Sequence, residues 1–186
     1  MMRVITGDAR GRKLKSVEGL ATRPTTERTK QSVFNAIQFD IEGRRVLDLF
    51  AGTGQLGIEA LSRGAADAVF VDLAPAAIAV IRDNVKTVRY ENRSEIVQGD
   101  ALGVLARFPE NRFGLIFLDP PYEAGLIAGA LERIMRRRLL REGGLIVCET
   151  LREEPMPPME EGFRVLREYL YGKSKITLIV RESGTV

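Results

Sequence analysis

Val46-Leu47-Asp48-Leu49-Phe50-Ala51-Gly52-Thr53-Gly54-Gln55-Leu56-Gly57 reads as a strand, a glycine turn and the first residues of a helix. The apolar run ends at Phe50, and glycines at 52 and 54 let the backbone turn sharply into the helix. Outward from this unit the same alternation continues. Val46–Phe50 is a strand and Leu56–Arg63 a helix; Ala68–Asp72 is a strand, and a helix opens at Pro75, a favoured first-turn position for proline. Glu95–Val97 is a strand with a short helix from Ala101; Phe113–Leu118 is a strand with a helix over Gly125–Arg138; Leu145–Glu149 is a strand again. Alternation with apolar strands predicts an α/β fold, a single doubly wound, mainly parallel sheet. Phe163–Tyr171 and Ser174–Val180, either side of Gly172, predict a closing antiparallel hairpin and bring the sheet to seven strands.

Ahead of this unit, the first 17 residues alternate around Gly7 and Gly11, the pattern of a small β-hairpin with a basic tip. Ala21-Thr22-Arg23-Pro24-Thr25-Thr26-Glu27-Arg28 then leads into a helix with Thr26 as N-cap and Val33, Ile37 and Ile41 as its apolar stripe. The expected organisation is a basic hairpin-and-helix extension over residues 1–42 and the α/β domain over 43–186. Residues 1–15 hold Arg3, Arg10, Arg12, Lys13 and Lys15 against Asp8 alone, a surplus of four positive charges that exceeds the +3 of the whole chain. A polyanionic partner at that end explains the surplus, and Arg23, Arg28 and Lys30 extend it.

Composition excludes several chemistries. With 45% hydrophobic and 28% charged residues among 186, the chain has the make-up of one soluble domain. No apolar stretch approaches the ~18–20 residues of a membrane span and no signal-peptide core is present, so a cytoplasmic location is expected. Histidine is absent and cysteine occurs once, at Cys148 inside an apolar run. That removes Ser-His and Cys-His dyads, histidine or thiolate metal sites and intramolecular disulfides. The chemistry must run on carboxylates, backbone groups and an organic cofactor, with no metal.

Three carboxylates fall at strand ends: Asp48, Asp72 and Asp100. In an open α/β sheet those ends surround one crevice. Gly52, Gly54 and Gly57 spell G-x-G-x-x-G, and Asp72 lies twenty residues after Gly52, so a nicotinamide dinucleotide is a rival ligand. Asp48 argues against it, because a carboxylate there faces the pyrophosphate, whereas it suits the ammonium group of a methionine moiety. Asp72 suits the ribose hydroxyls of either ligand, and Asp100 an adenine amine. The candidate cofactor-binding residues are Asp48, Phe50, Ala51, Gly52, Gly54, Asp72, Asp100 and Ala101.

Asp119-Pro120-Pro121-Tyr122 comes directly after Leu115-Ile116-Phe117-Leu118. Two prolines cannot donate to a ladder and each fixes its φ, so they make a stiff corner at the strand's end. The corner offers a carboxylate, bare carbonyls and an aromatic ring, which suits a flat heterocycle with an exocyclic NH2. Asp119 and the Pro120 carbonyl can accept the amine hydrogens while Tyr122 stacks on the ring.

Together, Asp48–Gly54, Asp72, Asp100 and Asp119–Tyr122 resemble the ordered motifs of S-adenosylmethionine-dependent class I methyltransferases acting on exocyclic amines. Arg3-Val4-Ile5-Thr6-Gly7, Gly11-Arg12-Lys13-Leu14, Arg23–Arg28, Phe34-Asn35 and Tyr171-Gly172 look like the RsmD family, with a departure at Lys173-Ser174. The resemblance implies a Rossmann-like methyltransferase fold over 43–186 and S-adenosylmethionine as cofactor. It further implies methylation of a guanine N2 in small-subunit (16S) ribosomal RNA, free or within the assembled subunit. Asp119, Pro120, Pro121 and Tyr122 are then catalytic, and Arg10, Arg12, Lys13, Arg23, Arg28 and Lys30 bind RNA. Adenine N6 in DNA or RNA is the nearest competing target, and a glutamine amide a further one. A nicotinamide oxidoreductase and a non-catalytic RNA-binding module are the rivals from other classes.

Overall fold

Six consecutive buried residues, Phe113–Leu118, make β4 the centre of the sheet, covered on both faces. The computed structural model describes residues 2–17, 27–120 and 125–184. Their order is α1 (Glu27–Ala36), β1 (Arg45–Asp48), α2 (Gln55–Ser62), β2 (Asp67–Asp72), α3 (Pro75–Val88), β3 (Ser94–Gln98) and α4 (Ala101–Val104), then β4, α5 (Leu126–Arg136), β5 (Leu140–Leu151), β6 (Phe163–Tyr171) and β7 (Ser174–Arg181). The seven strands lie in the order β3-β2-β1-β4-β5-β7-β6. The first five are parallel, and β7 pairs antiparallel with both β5 and β6. This is the mixed, mainly parallel α/β sheet and closing hairpin that the alternation predicts.

Strand alternation sends successive side chains to opposite faces. Val46, Leu115, Phe117 and Val147 join Val33, Phe34 and Ile37 of the α1 region and residues of α2 and α3 in one core. Leu47, Ile116, Leu118 and Cys148 join α4 and α5 in the other. Phe34 packs on Phe117 with ring centroids 5.6 Å apart, which fixes α1 over the end of β4. The chain leaves β1 towards β2 on one side while β4 flanks it on the other, so the strand order reverses there and a crevice opens at the carboxyl ends of β1 and β4.

The N-terminal run forms the small hairpin that its alternation predicts. Around the antiparallel bridge Arg3↔Lys13, Leu14 N–H donates to the Met2 carbonyl (2.9 Å), Val4 N–H to that of Arg12 (3.0 Å) and Gly11 N–H to that of Val4 (2.9 Å). Its tip is tied to α2. Ile5 and Thr6 N–H donate to Glu59 Oε2 and Oε1 at 2.8 and 3.0 Å, and Ala9 N–H donates to Ser62 Oγ at 3.0 Å. Side chains of α2 thus hold the amides that the hairpin leaves unpaired near its turn. Gly7 is required here: a Cβ would lie 1.7 Å from the Ser62 carbonyl oxygen. Behind it, the buried Asn84 of α3 donates to the carbonyls of Lys15 and Thr53 at 3.1 and 2.9 Å and accepts from Lys15 N–H at 2.7 Å.

Candidate active site

The glycine turn is held by two of the expected carboxylates. Gly52 and Gly54 adopt φ of +55° and +76°, conformations that cost a side-chain-bearing residue strain, and Gly54 caps α2. A Cβ on Gly57 would lie 2.3 Å from a ring atom of Phe70, so this third glycine sets how closely α2 approaches β2. Asp48 is 1% exposed, and its Oδ2 accepts the Gly57 N–H at 2.9 Å. Asp72 accepts Gly52 N–H at Oδ2 (2.8 Å) and Ala74 N–H at Oδ1 (2.9 Å), joining the turn to the start of α3. Each oxygen of Asp72 keeps a second lone pair for a ligand hydroxyl. Asp100 follows β3 and caps α4, accepting Gly103 N–H at Oδ2 (2.7 Å); it is exposed, and Ala101 after it is buried.

Burial pushes the Asp48 carboxyl up to about 7, with nearby Asp72 adding to the rise and the Gly57 N–H opposing it. Because the folded state holds this proton more tightly than the unfolded chain, stability contributed by the protonated carboxyl is present at pH 4 and is lost as pH rises towards 7. Urea unfolding of the parental protein and Asp48→Asn across pH 4–8 should show the parental losing, relative to the variant, on the order of a few kcal/mol over that window. A difference that stays flat with pH would mean the carboxyl titrates normally.

Asp119 and Pro120 lie at the end of β4, beside the turn. Pro121 and Tyr122 lie outside the described residues, as do Arg23 and Thr26; Arg28 is in α1, with its side chain outside them as well. Next to Asp119 is a cleft of about 390 Å³, open mouth included, with polar lining from Lys30, Gln55, Asp119 and Glu149 and apolar lining that includes Phe117 and Ile176. Arg10, Arg12 and Lys13 are exposed on the N-terminal arm.

Lys30 does not join those three. It is 3% exposed, with Nζ donating to the Arg3 carbonyl at 3.3 Å and lying 3.7 Å from Glu59 Oε2, so its ammonium is buried between the arm, α2 and the cleft rather than exposed like those three. Its counter-charge, Glu59, is a position that sequence reasoning missed. It is fully buried on α2, accepts from Ile5, Thr6 and Arg63 Nε, and so anchors the arm. Gln55 and Glu149 were missed too. A glutamate inside the apolar run Leu145–Glu149 was the available signal.

The family model described as conserved hypothetical protein 95 matches residues 2–180. YlbH of Bacillus subtilis (strain 168), provisionally named an rRNA methyltransferase, is 41% identical over 179 residues, 95% of this chain and 97% of the relative. The ribosomal RNA small subunit methyltransferase D of Escherichia coli (strain K12) is 33% identical over 184 residues, 98% and 91% of the two chains. Among solved structures, yhhF of Escherichia coli, provisionally named a methyltransferase, matches with a TM-score of 0.86 at 33% identity over 98% of each chain. The sheet is therefore of the Rossmann-like methyltransferase type.

Proposed function

The chain belongs to the RsmD family, the one described as conserved hypothetical protein 95, and we propose from this membership that it is an rRNA methyltransferase. In finer terms, it transfers a methyl group from S-adenosylmethionine to the exocyclic N2 of a guanine in small-subunit ribosomal RNA. The observation that carries this reading is the position of Asp119: it directly follows β4, where the strand order reverses, next to the glycine turn and in the wall of an open cleft.

The residues around the turn fit the cofactor. The side chain that Gly52 lacks would have faced open space, so the backbone there is approachable by a ligand. Asp72 serves the ribose hydroxyls, Asp100 the adenine amine, and Phe50, Ala51 and Gly54 the walls of the site. Asp48 acts from below, holding the turn in place through Gly57. When bound, S-adenosylmethionine supplies a methyl group already activated on a sulfonium, so the protein's task is chiefly positioning.

The guanine N2 lone pair is delocalised into the ring and is a poor nucleophile. Asp119 accepts one of its hydrogens and the Pro120 carbonyl the other, which favours a pyramidal nitrogen with its electron density directed at the methyl group. Tyr122, placed here on sequence alone, stacks on the base. Once the nitrogen carries the methyl, its surplus proton leaves through Asp119 or water. Because N2 lies in the minor groove of a helix, the target must be unpaired or flipped into the cleft. Transfer of labelled methyl to ribosomal RNA from cells lacking this protein, followed by nucleoside analysis, tests the assignment. Binding of a nicotinamide dinucleotide without binding of S-adenosylmethionine would overturn it.

Residues 1–42 serve as the extension that meets RNA, with Arg10, Arg12 and Lys13 on phosphates. Each contact adds roughly 0.7–0.9 to the slope of log affinity against log salt. Replacing all three by alanine should flatten that slope by about 2–3 and raise the RNA KM, with S-adenosylmethionine binding unchanged. A triple variant with the parental slope would leave those charges merely solvated.

A further inference from the structure

The corner at Asp119 accepts amine hydrogens, and that alone suits adenine N6 as well as guanine N2. A second carboxylate separates the two. Leu118↔Cys148 is the last register pair of β4 and β5, and Asp119 and Glu149 each stand one residue beyond it, on neighbouring strands about 4.8 Å apart. Both line the cleft. By strand alternation they share the face of Phe117 and Val147, which belong to the core beneath α1. Glu149 also pairs in register with Ile176 of β7, another residue of the cleft wall. Although it lies near the end of its strand, it is 7% exposed.

We propose that Glu149 reads the Watson–Crick edge of the target base and makes the site select guanine over adenine, an inference that rests on the guanine-N2 reading above. Guanine presents N1–H beside its N2 amine, two adjacent donors. Two carboxylates side by side match them, Asp119 on the amine and Glu149 on N1–H. Adenine presents an N1 lone pair beside its amine, and that lone pair, facing a buried carboxylate, is repelled where guanine's N1–H would donate.

The test uses a short RNA carrying the target position as guanine or as 2,6-diaminopurine. The second base keeps the amine at C2 but has a lone pair in place of N1–H. A lost hydrogen bond to a charged group predicts that the parental protein prefers guanine by roughly 10- to 150-fold in kcat/KM. Glu149→Gln, whose amide can offer its oxygen to N1–H or an N–H to the lone pair, should narrow or reverse that preference. Its melting temperature and its affinity for S-adenosylhomocysteine should stay parental. A Glu149→Gln protein with the parental preference overturns the role of Glu149 while leaving the guanine reading intact. Should the variant fail to fold, the parental protein decides alone, because equal use of both bases overturns the proposal. Nucleoside analysis locates the methyl, and a parental product methylated at N6 rather than N2 overturns both readings.

Discussion

Asp119→Ala should lower methyl transfer by on the order of 100- to 1,000-fold, the usual scale for removing one preorganised polar group from a reacting centre, while cofactor affinity stays within a few-fold. The split has a geometric cause. The turn that fits the cofactor is braced by Asp48, Asp72 and backbone hydrogen bonds, none of which runs through the Asp119 side chain. What is lost is an interaction made by the amine as it becomes a nucleophile, so kcat falls along with kcat/KM. Single-turnover transfer with saturating S-adenosylmethionine, alongside calorimetric titration of S-adenosylhomocysteine, separates the two. Near-parental turnover in Asp119→Ala would make the corner a structural strand end and send the search for the reacting centre elsewhere.

Glu59→Ala should cost about 3–5 kcal/mol of stability, the penalty for leaving buried charge without its partner. The carboxylate is fully buried between Arg63 Nε at 2.9 Å and Lys30 Nζ at 3.7 Å and also accepts two arm amides. Removing it takes a carboxylate from two buried cations and an acceptor from two N–H groups at once, and the arm loses two of its attachments to α2. Urea unfolding reads the first effect, and faster trypsin cleavage after Arg10, Arg12 or Lys13 reads the second. The double variant Glu59→Ala/Lys30→Met should recover part of the loss, since a buried ammonium is removed together with one of its counter-charges. A single-variant cost below about 1 kcal/mol would place this cluster with ordinary surface pairs.

The parts of the fold that could be read in advance are those written in local pattern. Buried parallel strands are continuous apolar runs, so Phe113–Leu118 and the β1–turn–α2 unit stood out, and Gly172 marked the closing turn. Long-range pairing was not legible. Lys30 looked like one more member of a basic cluster because its partner Glu59 lies on another helix. The arm's hairpin could be read from its alternation, but not its attachment to α2, whose side chains take amides of Ile5, Thr6 and Ala9. Among the candidate ligand residues, Asp48 and Asp72 fell at the expected strand ends, yet both also hold the protein's own backbone, which spacing alone does not disclose. Glu149 was counted as the last residue of a strand; its carboxylate gains meaning only once β4 and β5 lie side by side.

Asn84 ties the arm to the glycine turn. A single amide, buried in α3, binds Lys15 of the arm on one side and Thr53 of the turn on the other. In the proposed function the arm meets RNA and the turn meets the cofactor, so the two would share one buried joint. Linkage makes any coupling through it symmetric: whatever factor RNA on the arm applies to cofactor affinity, the cofactor applies to RNA affinity. Any ordering that RNA imposes on Lys15 would reach the turn through this one amide, and an Asn84→Ala variant would remove that route.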